Sequence, residues 1–367
     1  MPRILIATFS LAALLASGGC NKMPQSTGTE STKVRIGYVG LTCEASIFAA
    51  YEKGFFKDEG LQPELIKCSW HNYKDTLAIG GYDITQHLVM YFLKPIEEGL
   101  DVKFTGGIHR GCLRVQAANS SNINSIADLK GKRIGVPAMG TPPFMFARRV
   151  LRDNGIDASK DITWKIYPTG ELGSAVENGG VDAVADAEPI GSLLLAKGLV
   201  HNVADQATQE PYSNEYCCEV VANGKWIKAN PKAAAAATRA LLRGAKWVQT
   251  NPAAAAQLSV EKKYIASDAN LNAAAIATLS YIPSISKAES SIMTAATGMK
   301  AAGMLVPTTN LVELAKRAFV HLDGVTDEWI AQLEVEKVAR GQLPQNWKIA
   351  QAKAVASGKD CCRLETK

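Results

Sequence analysis

The chain carries no block of basic residues and no stretch in which aromatic and basic residues interleave. Its net charge over 367 residues is only +5, so nucleic acid is not an expected partner. The ligand spacings of the common metal folds are missing: there is no CxxC, no HExxH and no Cys/His finger. No nucleophile elbow, phosphate loop or poised catalytic triad is spelled out either, which removes the usual signatures of catalysis. There is no internal repeat, and no second apolar run beyond the N-terminus that could span a membrane. What remains is an ordinary globular composition, 47% hydrophobic and 20% charged, in a chain long enough for two lobes with real cores.

The N-terminus, MPRILIATFSLAALLASGGC, has one positive residue, Arg3, then an apolar run over 4–16 and a small-residue stretch ending at Cys20. That run is short for a permanent span and has the order of a signal peptide over 1–20. Ser17-Gly18-Gly19-Cys20 resembles a bacterial lipobox, in which the cysteine becomes the lipidated first residue. Ser17 stands where Leu is usual, so a plainly cleaved signal stays open as the alternative. Residues 21–33 are polar and rich in Ser and Thr, as a flexible tether should be. The expected location is the periplasmic or extracytoplasmic face of a membrane, with a lipid anchor at Cys20.

Beyond the tether, short apolar strands alternate with helices, a pattern that predicts an α/β fold with parallel sheets. Residues 103–116 (KFTGGIHRGCLRVQ) read as a strand leaving one lobe for another, and 215–223 (EYCCEVVAN) as the strand that returns. Two crossings make a hinge and hence a cleft. The expected division is 34–111 plus 219–343 for the first lobe, 112–218 for the second and 344–367 for a C-terminal tail, disordered over 357–367. In the second lobe Thr141 is placed to cap a helix beginning at Pro142, whose free backbone donors would favour an anion or a carbonyl oxygen. Asp186 and Glu188 follow a strand at the cleft edge. Long Ala-rich helices fill 231–262, and a last helix is expected over 329–343.

Five cysteines fall at strand ends or crossings: Cys43, Cys68, Cys112, Cys217 and Cys218. The carboxyl ends of strands form the binding edge of an open sheet, so most of these thiols should gather around one cleft. Strand alternation predicts that Cys217 and Cys218 point to opposite faces. Three readings stay open. The thiols form structural disulfides, for instance Cys43 with Cys68 or a pair across the crossing strands, as an oxidising compartment allows; or they form a soft-metal site completed by His109 or His87; or they are buried or incidental free cysteines. Cys361 and Cys362 in the tail read as an incidental surface pair. His109 and Arg110 could instead serve an anionic ligand, the alternative for Arg110 being a salt bridge that stiffens the hinge. With Trp70, Gln86, Thr141, Pro142, Glu188 and Tyr216 these residues complete the candidate ligand-binding set.

The segments GYVGLTCEASIFAAYEKGFFKDEGL, GGYDI, VKFTGGIHRGC, SIADLKGKRIGVPAMGTPPFMFARRVLRDNGID, GGVDAVADAEP and NPKAAAAATRALLRGAKWVQTNP, in that order and spacing, resemble the substrate-binding proteins of nitrate, sulfonate and taurine ABC importers, the NMT1/THI5-like group. The resemblance covers roughly 33–323 and implies a monomeric two-lobed periplasmic-binding-protein fold of type II. It further implies closure on a small, nitrate- or sulfonate-like anion and delivery to a permease and ATPase, with no cofactor and no catalysis. The group also includes thiamine-pyrimidine synthases, whose consecutive cysteine run is missing here. A solute sensor and a receptor for a soft metal or metalloid are the further alternatives. A shared scaffold does not name the ligand.

Overall fold

The computed structural model describes residues 32–70 and 72–338. The expected signal peptide, Cys20, nearly all of the tether and the tail with Cys361 and Cys362 lie outside the described residues. Eleven strands are formed among the described residues: β1 Thr32–Tyr38, β2 Leu61–Lys67, β3 Ile84–Leu88, β4 Val102–Arg110, β5 Leu113–Ala118, β6 Arg133–Val136, β7 Thr163–Ile166, β8 Ala183–Ala187, β9 Val200–Asp205, β10 Tyr216–Asn223 and β11 Ser280–Ser284. They make two sheets, one ordered β11-β4-β10-β3-β1-β2 and the other β7-β6-β8-β5-β9. Each sheet is flanked by helices and is the core of one lobe.

The expected parallel pairing holds for β1 with β2 and β3, and for β6 with β7 and β8. It fails at the crossing strands. β10 runs antiparallel to both β3 and β4, and β5 antiparallel to both β8 and β9. A chain that comes back from the other lobe enters its sheet from the opposite end, so both sheets are mixed. β10 lies between two neighbours and is covered on both faces, which is why all eight of its residues are buried.

The outgoing stretch is two strands joined by a break at Gly111-Cys112, not one. Gly111 has φ 74, and a Cβ there would come within 2.7 Å of Ala207. Cys112 follows with φ 154, a conformation rarely adopted by residues with a side chain. The return segment lies between β9 and β10, so Tyr216, Cys217 and Cys218, expected in the second lobe, are strand residues of the first sheet. The helix expected over 329–343 is confined to Asp327–Ala331, with no helix over 332–338. Among the described residues no helix is long and apolar enough to cross a membrane.

Buried polar ties hold the lobes together on both sides of the crossings. Arg149, on the helix Pro142–Asp153 of the second lobe, makes a two-pronged pair with Glu215 at 2.7 and 2.6 Å and contacts Sδ of Met90 in the first lobe. Arg148 donates to the Ala302 carbonyl at 3.2 Å. On the other side Thr278 of the first lobe donates to Glu188 at 3.3 Å. Removing one partner of a buried pair such as Arg149–Glu215 typically costs about 3–5 kcal/mol, because the other charge is left uncompensated.

Candidate functional site

The seam is built around a mismatch in the β4–β10 ladder. Tyr216 pairs with Arg110 and Cys218 with His109, so two steps on β10 oppose one step on β4 and Cys217 is the extra residue of a bulge. Glu219 then pairs with Gly107, so β4 carries the opposite bulge one position later. A bulge breaks the two-residue alternation. It overturns the expectation that Cys217 and Cys218 face apart: both thiols reach the same group. Gly107 makes room for the arrangement, since a Cβ there would sit 2.5 Å from the Tyr216 ring.

Four of the five described cysteines gather at this point. The thiols perturb one another in turn, Cys218 with Cys43, Cys43 with Cys112, Cys112 with Cys217 and Cys217 with Cys218. All four are buried, and all are free thiols. Cys68 stands apart, half-buried after the edge strand β2, with its thiol toward the Ile66 carbonyl at 3.7 Å. The expected Cys43–Cys68 disulfide is therefore absent, because Cys43 turns inward to the crossing strands. Contacts from Cys217 and Cys43 hold the Cys112 thiol well below its usual range, aided by the backbone N–H of Glu188, while burial pushes Cys217 and Cys218 up.

His109 lies on the same side, fully buried, its ring 5.1 Å from that of Tyr281, and its Nε2 has no hydrogen-bond partner. Tyr281 donates to the Cys43 carbonyl at 2.9 Å, which fixes the loop that presents Cys43. Gln86 also donates to that carbonyl and accepts from Ser46, so it holds the loop and offers nothing to a ligand. Tyr216 is likewise committed, donating through its hydroxyl to Ile282 and through its backbone to Ser291 at 2.6 Å. Arg110 makes no salt bridge among the described residues, contrary to the hinge alternative. Its guanidinium lies 5.3 Å from the Tyr216 ring centre, and its buried Nε is unpartnered.

The other candidates fall outside the thiol group. His87 is enclosed by Trp70, Tyr73, Tyr91 and Phe92 at ring separations of 4.3–6.0 Å, and neither ring nitrogen is bonded. Burial lowers its pKa to about 3, so it is a neutral core residue. Glu188 is paired with Arg114 and accepts from Ser192. Thr141 occupies the cap position of its helix, but its hydroxyl donates back to the Ala138 carbonyl at 2.7 Å. Pro142 and Pro143 explain this: they strip two N–H donors from the helix start, and with them the anion site expected there.

Sequence reading missed Glu44, Glu219 and Tyr281. Glu219 is fully buried opposite His87 in the β3–β10 register, with both oxygens unpartnered and its pKa pushed well up by burial. Tyr281 was missed because β11 is short and follows a helix directly. Glu44 follows Cys43 and was readable as an acid at the start of an apolar helix.

With this geometry, the NMT1-like family profile matches residues 27–261, well over half of the chain. The chain belongs to the NMT1-like family. Its similarity to the nitrate/nitrite binding protein NrtA of Nostoc is 25% identity over 235 residues, covering 58% of this chain and 53% of that one. The chain spans about half to two thirds of the length of the curated relatives it matches. Among solved structures, the periplasmic nitrate-binding protein NrtA of Synechocystis superposes with TM-score 0.66 at 16% identity, covering 79% of this chain and 86% of that one. The aliphatic sulphonate binding protein SsuA of Escherichia coli gives 0.64 at 17%, covering 85% and 98%. The two-lobed periplasmic-binding-protein fold expected from the sequence is the one this NMT1-like chain adopts.

Glu44 supplies a test of how the site loop is held. Its carboxylate accepts from the backbone N–H groups of Val39, Gly40 and Leu41 at 2.7–3.1 Å, yet complete burial outweighs those donors and raises its pKa from 4.5 to about 7. Between those values the folded chain keeps a proton that the unfolded chain has lost. Glu44 should therefore make stability fall as pH rises from about 4.5 to 7, by on the order of 3 kcal/mol. Urea melts of the native chain and Glu44→Gln across that window check this: the two curves should converge at low pH and separate as pH rises. Parallel curves would contradict it.

Proposed function

We propose that this protein is the solute-binding component of an ABC importer, closing its two lobes on a small anion at the crossing strands and passing it to a permease and ATPase. The fold and the family support the receptor role. The named relatives bind nitrate, nitrite or aliphatic sulphonate, all compact anions. The observation that carries the reading is Arg110. It is a half-buried cation at the end of β4 with no carboxylate partner among the described residues, held over the ring of Tyr216 on the returning strand. A guanidinium so placed can give two parallel hydrogen bonds to a planar or tetrahedral oxyanion. Arg114 cannot do this, because Glu188 and Asp205 already occupy it and Asp186 lies opposite. The cysteines come from three segments and not from a consecutive run, so the synthase-like alternative gains nothing from the geometry.

Closure follows from the same placement. A solute shifts the lobes toward the closed form only by what it gains there beyond the open form. A solute held at Arg110 in the first lobe gains that difference from groups of the second lobe that reach it only when the lobes close.

Calorimetric titration with nitrate and with a short alkanesulphonate should give binding in the native chain, weakened about 10- to 100-fold in Arg110→Ala, the loss expected for a charged hydrogen-bond partner. Melting temperature should change little, since Arg110 has no ion pair to lose. Unchanged affinity with a large fall in melting temperature would make Arg110 a structural hinge residue and remove the proposal.

The membrane tether belongs to the same reading and rests on Cys20. Cys20→Ala should release the chain from the membrane fraction, and unchanged membrane association would remove the anchor.

A further inference from the structure

The thiol group has a property that buried free cysteines do not need. Cysteines packed as small apolar residues ask for nothing from their neighbours, but here an imidazole is packed among them with a bare nitrogen. His109 Nδ1 faces the Arg110 carbonyl at 3.4 Å, which places the ring proton on Nδ1 and leaves the lone pair on Nε2. Nε2 is buried and has no hydrogen-bond partner. A backbone carbonyl behind one ring nitrogen and a free lone pair on the other is the arrangement that orients a metal-ligating histidine.

The donors are close enough. The ligating atoms of Cys43, Cys218 and His109 all lie within 4.8 Å of one another; Cys112 lies outside that group but is close enough to Cys43 to perturb its thiol. Donors around a tetrahedral zinc, with bonds of about 2.0–2.3 Å, sit roughly 3.5–3.8 Å apart. Closing inward by about 1 Å is within what side-chain rotation supplies. We propose that Cys43, Cys218 and His109 form a site for a thiophilic metal ion of the zinc(II) or copper(I) class, with Cys112, next to Cys43, turning in as the fourth, tetrahedral donor. The set is three thiolates and one imidazole, a combination that such ions favour over harder cations. Each ligating thiol releases its proton to solvent as the ion enters, so the apparent affinity rises with pH. Cys217, contacting both Cys112 and Cys218, stands next to the ligands.

The usual metal spacings are missing from the sequence because the ligands come from three distant segments, joined only by the paired bulges of β4 and β10. This inference goes beyond the solute-binding reading and does not depend on it. Arg110 decides the anion, and the cysteines and His109 decide the metal.

The test uses the full chain, reduced and stripped of metal. Zinc(II) is titrated against a chromophoric chelator, and copper(I) in parallel without oxygen. One tight equivalent is expected in the native chain, retained in Cys68→Ser and in Cys361→Ser/Cys362→Ser. It should be weakened in Cys218→Ser and His109→Ala by more than about 100-fold, the upper end of what losing even an outer-shell partner costs. Cobalt(II) as a spectroscopic substitute should show intense tetrahedral thiolate absorption that both variants lose. Retention of full affinity in Cys218→Ser and His109→Ala, or its loss in Cys68→Ser, would overturn the site. Should either ligand variant fail to fold, the melting temperature of the native chain decides: it should rise with added zinc(II) or copper(I), and an unchanged value with both would overturn the proposal.

Discussion

The double mismatch between β4 and β10 is the constraint on which the rest of the seam depends. One extra residue on the returning strand and one on the outgoing strand restore the register at Glu219 and Val220, ahead of a further shift at Val221, while rotating the side chains between them. Without the bulge at Cys217, alternation would send one of the two adjacent thiols to the far face of the sheet. With it, Cys217 meets Cys112 and Cys218 meets Cys43, and His109 is brought in beside them. The break at Gly111-Cys112 works in the same direction, since the unusual backbone at Cys112 turns its thiol back toward the first lobe. Local strain of this kind persists only where surrounding structure holds it, and here two sheets and their crossings do so.

Around that centre the polar groups divide into two kinds. One kind is satisfied and structural: Arg149 with Glu215, Arg114 with Glu188, and Gln86 and Tyr281 on the Cys43 carbonyl. These fix the loop and clamp the lobes. The other kind is buried with atoms left unpaired, among them His109 Nε2, Arg110 Nε, both oxygens of Glu219 and both ring nitrogens of His87. Buried polar atoms without partners are rare in folded proteins, and His109 and Arg110 are successive residues at one strand end. That juxtaposition is what makes the end of β4 the candidate site.

Much of this was legible before the fold was seen. Both crossings could be placed because each joins an apolar strand to a cluster of polar and sulfur residues, and the segment between them repeats the strand-and-helix pattern. The convergence of Cys43, Cys112, Cys217 and Cys218 follows from the rule that strand ends form the binding edge. The faces of Cys217 and Cys218 were not legible, because a bulge is set by long-range pairing with β4 and leaves no mark on its own strand. Thr141 was misjudged because two prolines after it remove donors that a local capping rule assumes. His87 looked like a ligand and is a core residue, since its aromatic enclosure is assembled from four positions spread over 70–92. Glu219 was illegible for the same reason: an acid inside an apolar strand shows its lack of partners only in three dimensions.

The central claim is that the seam between the crossing strands holds a ligand. Native mass spectrometry of the full chain, purified without reductant and without added metal, tests it most directly. The account predicts a mass above that of the protein by a retained metal ion, lost in His109→Ala, or by a retained solute, lost in Arg110→Ala, with the Cys43, Cys112, Cys217 and Cys218 thiols reduced. A bare chain whose mass is lowered by the hydrogens lost in disulfides among those four cysteines would contradict it.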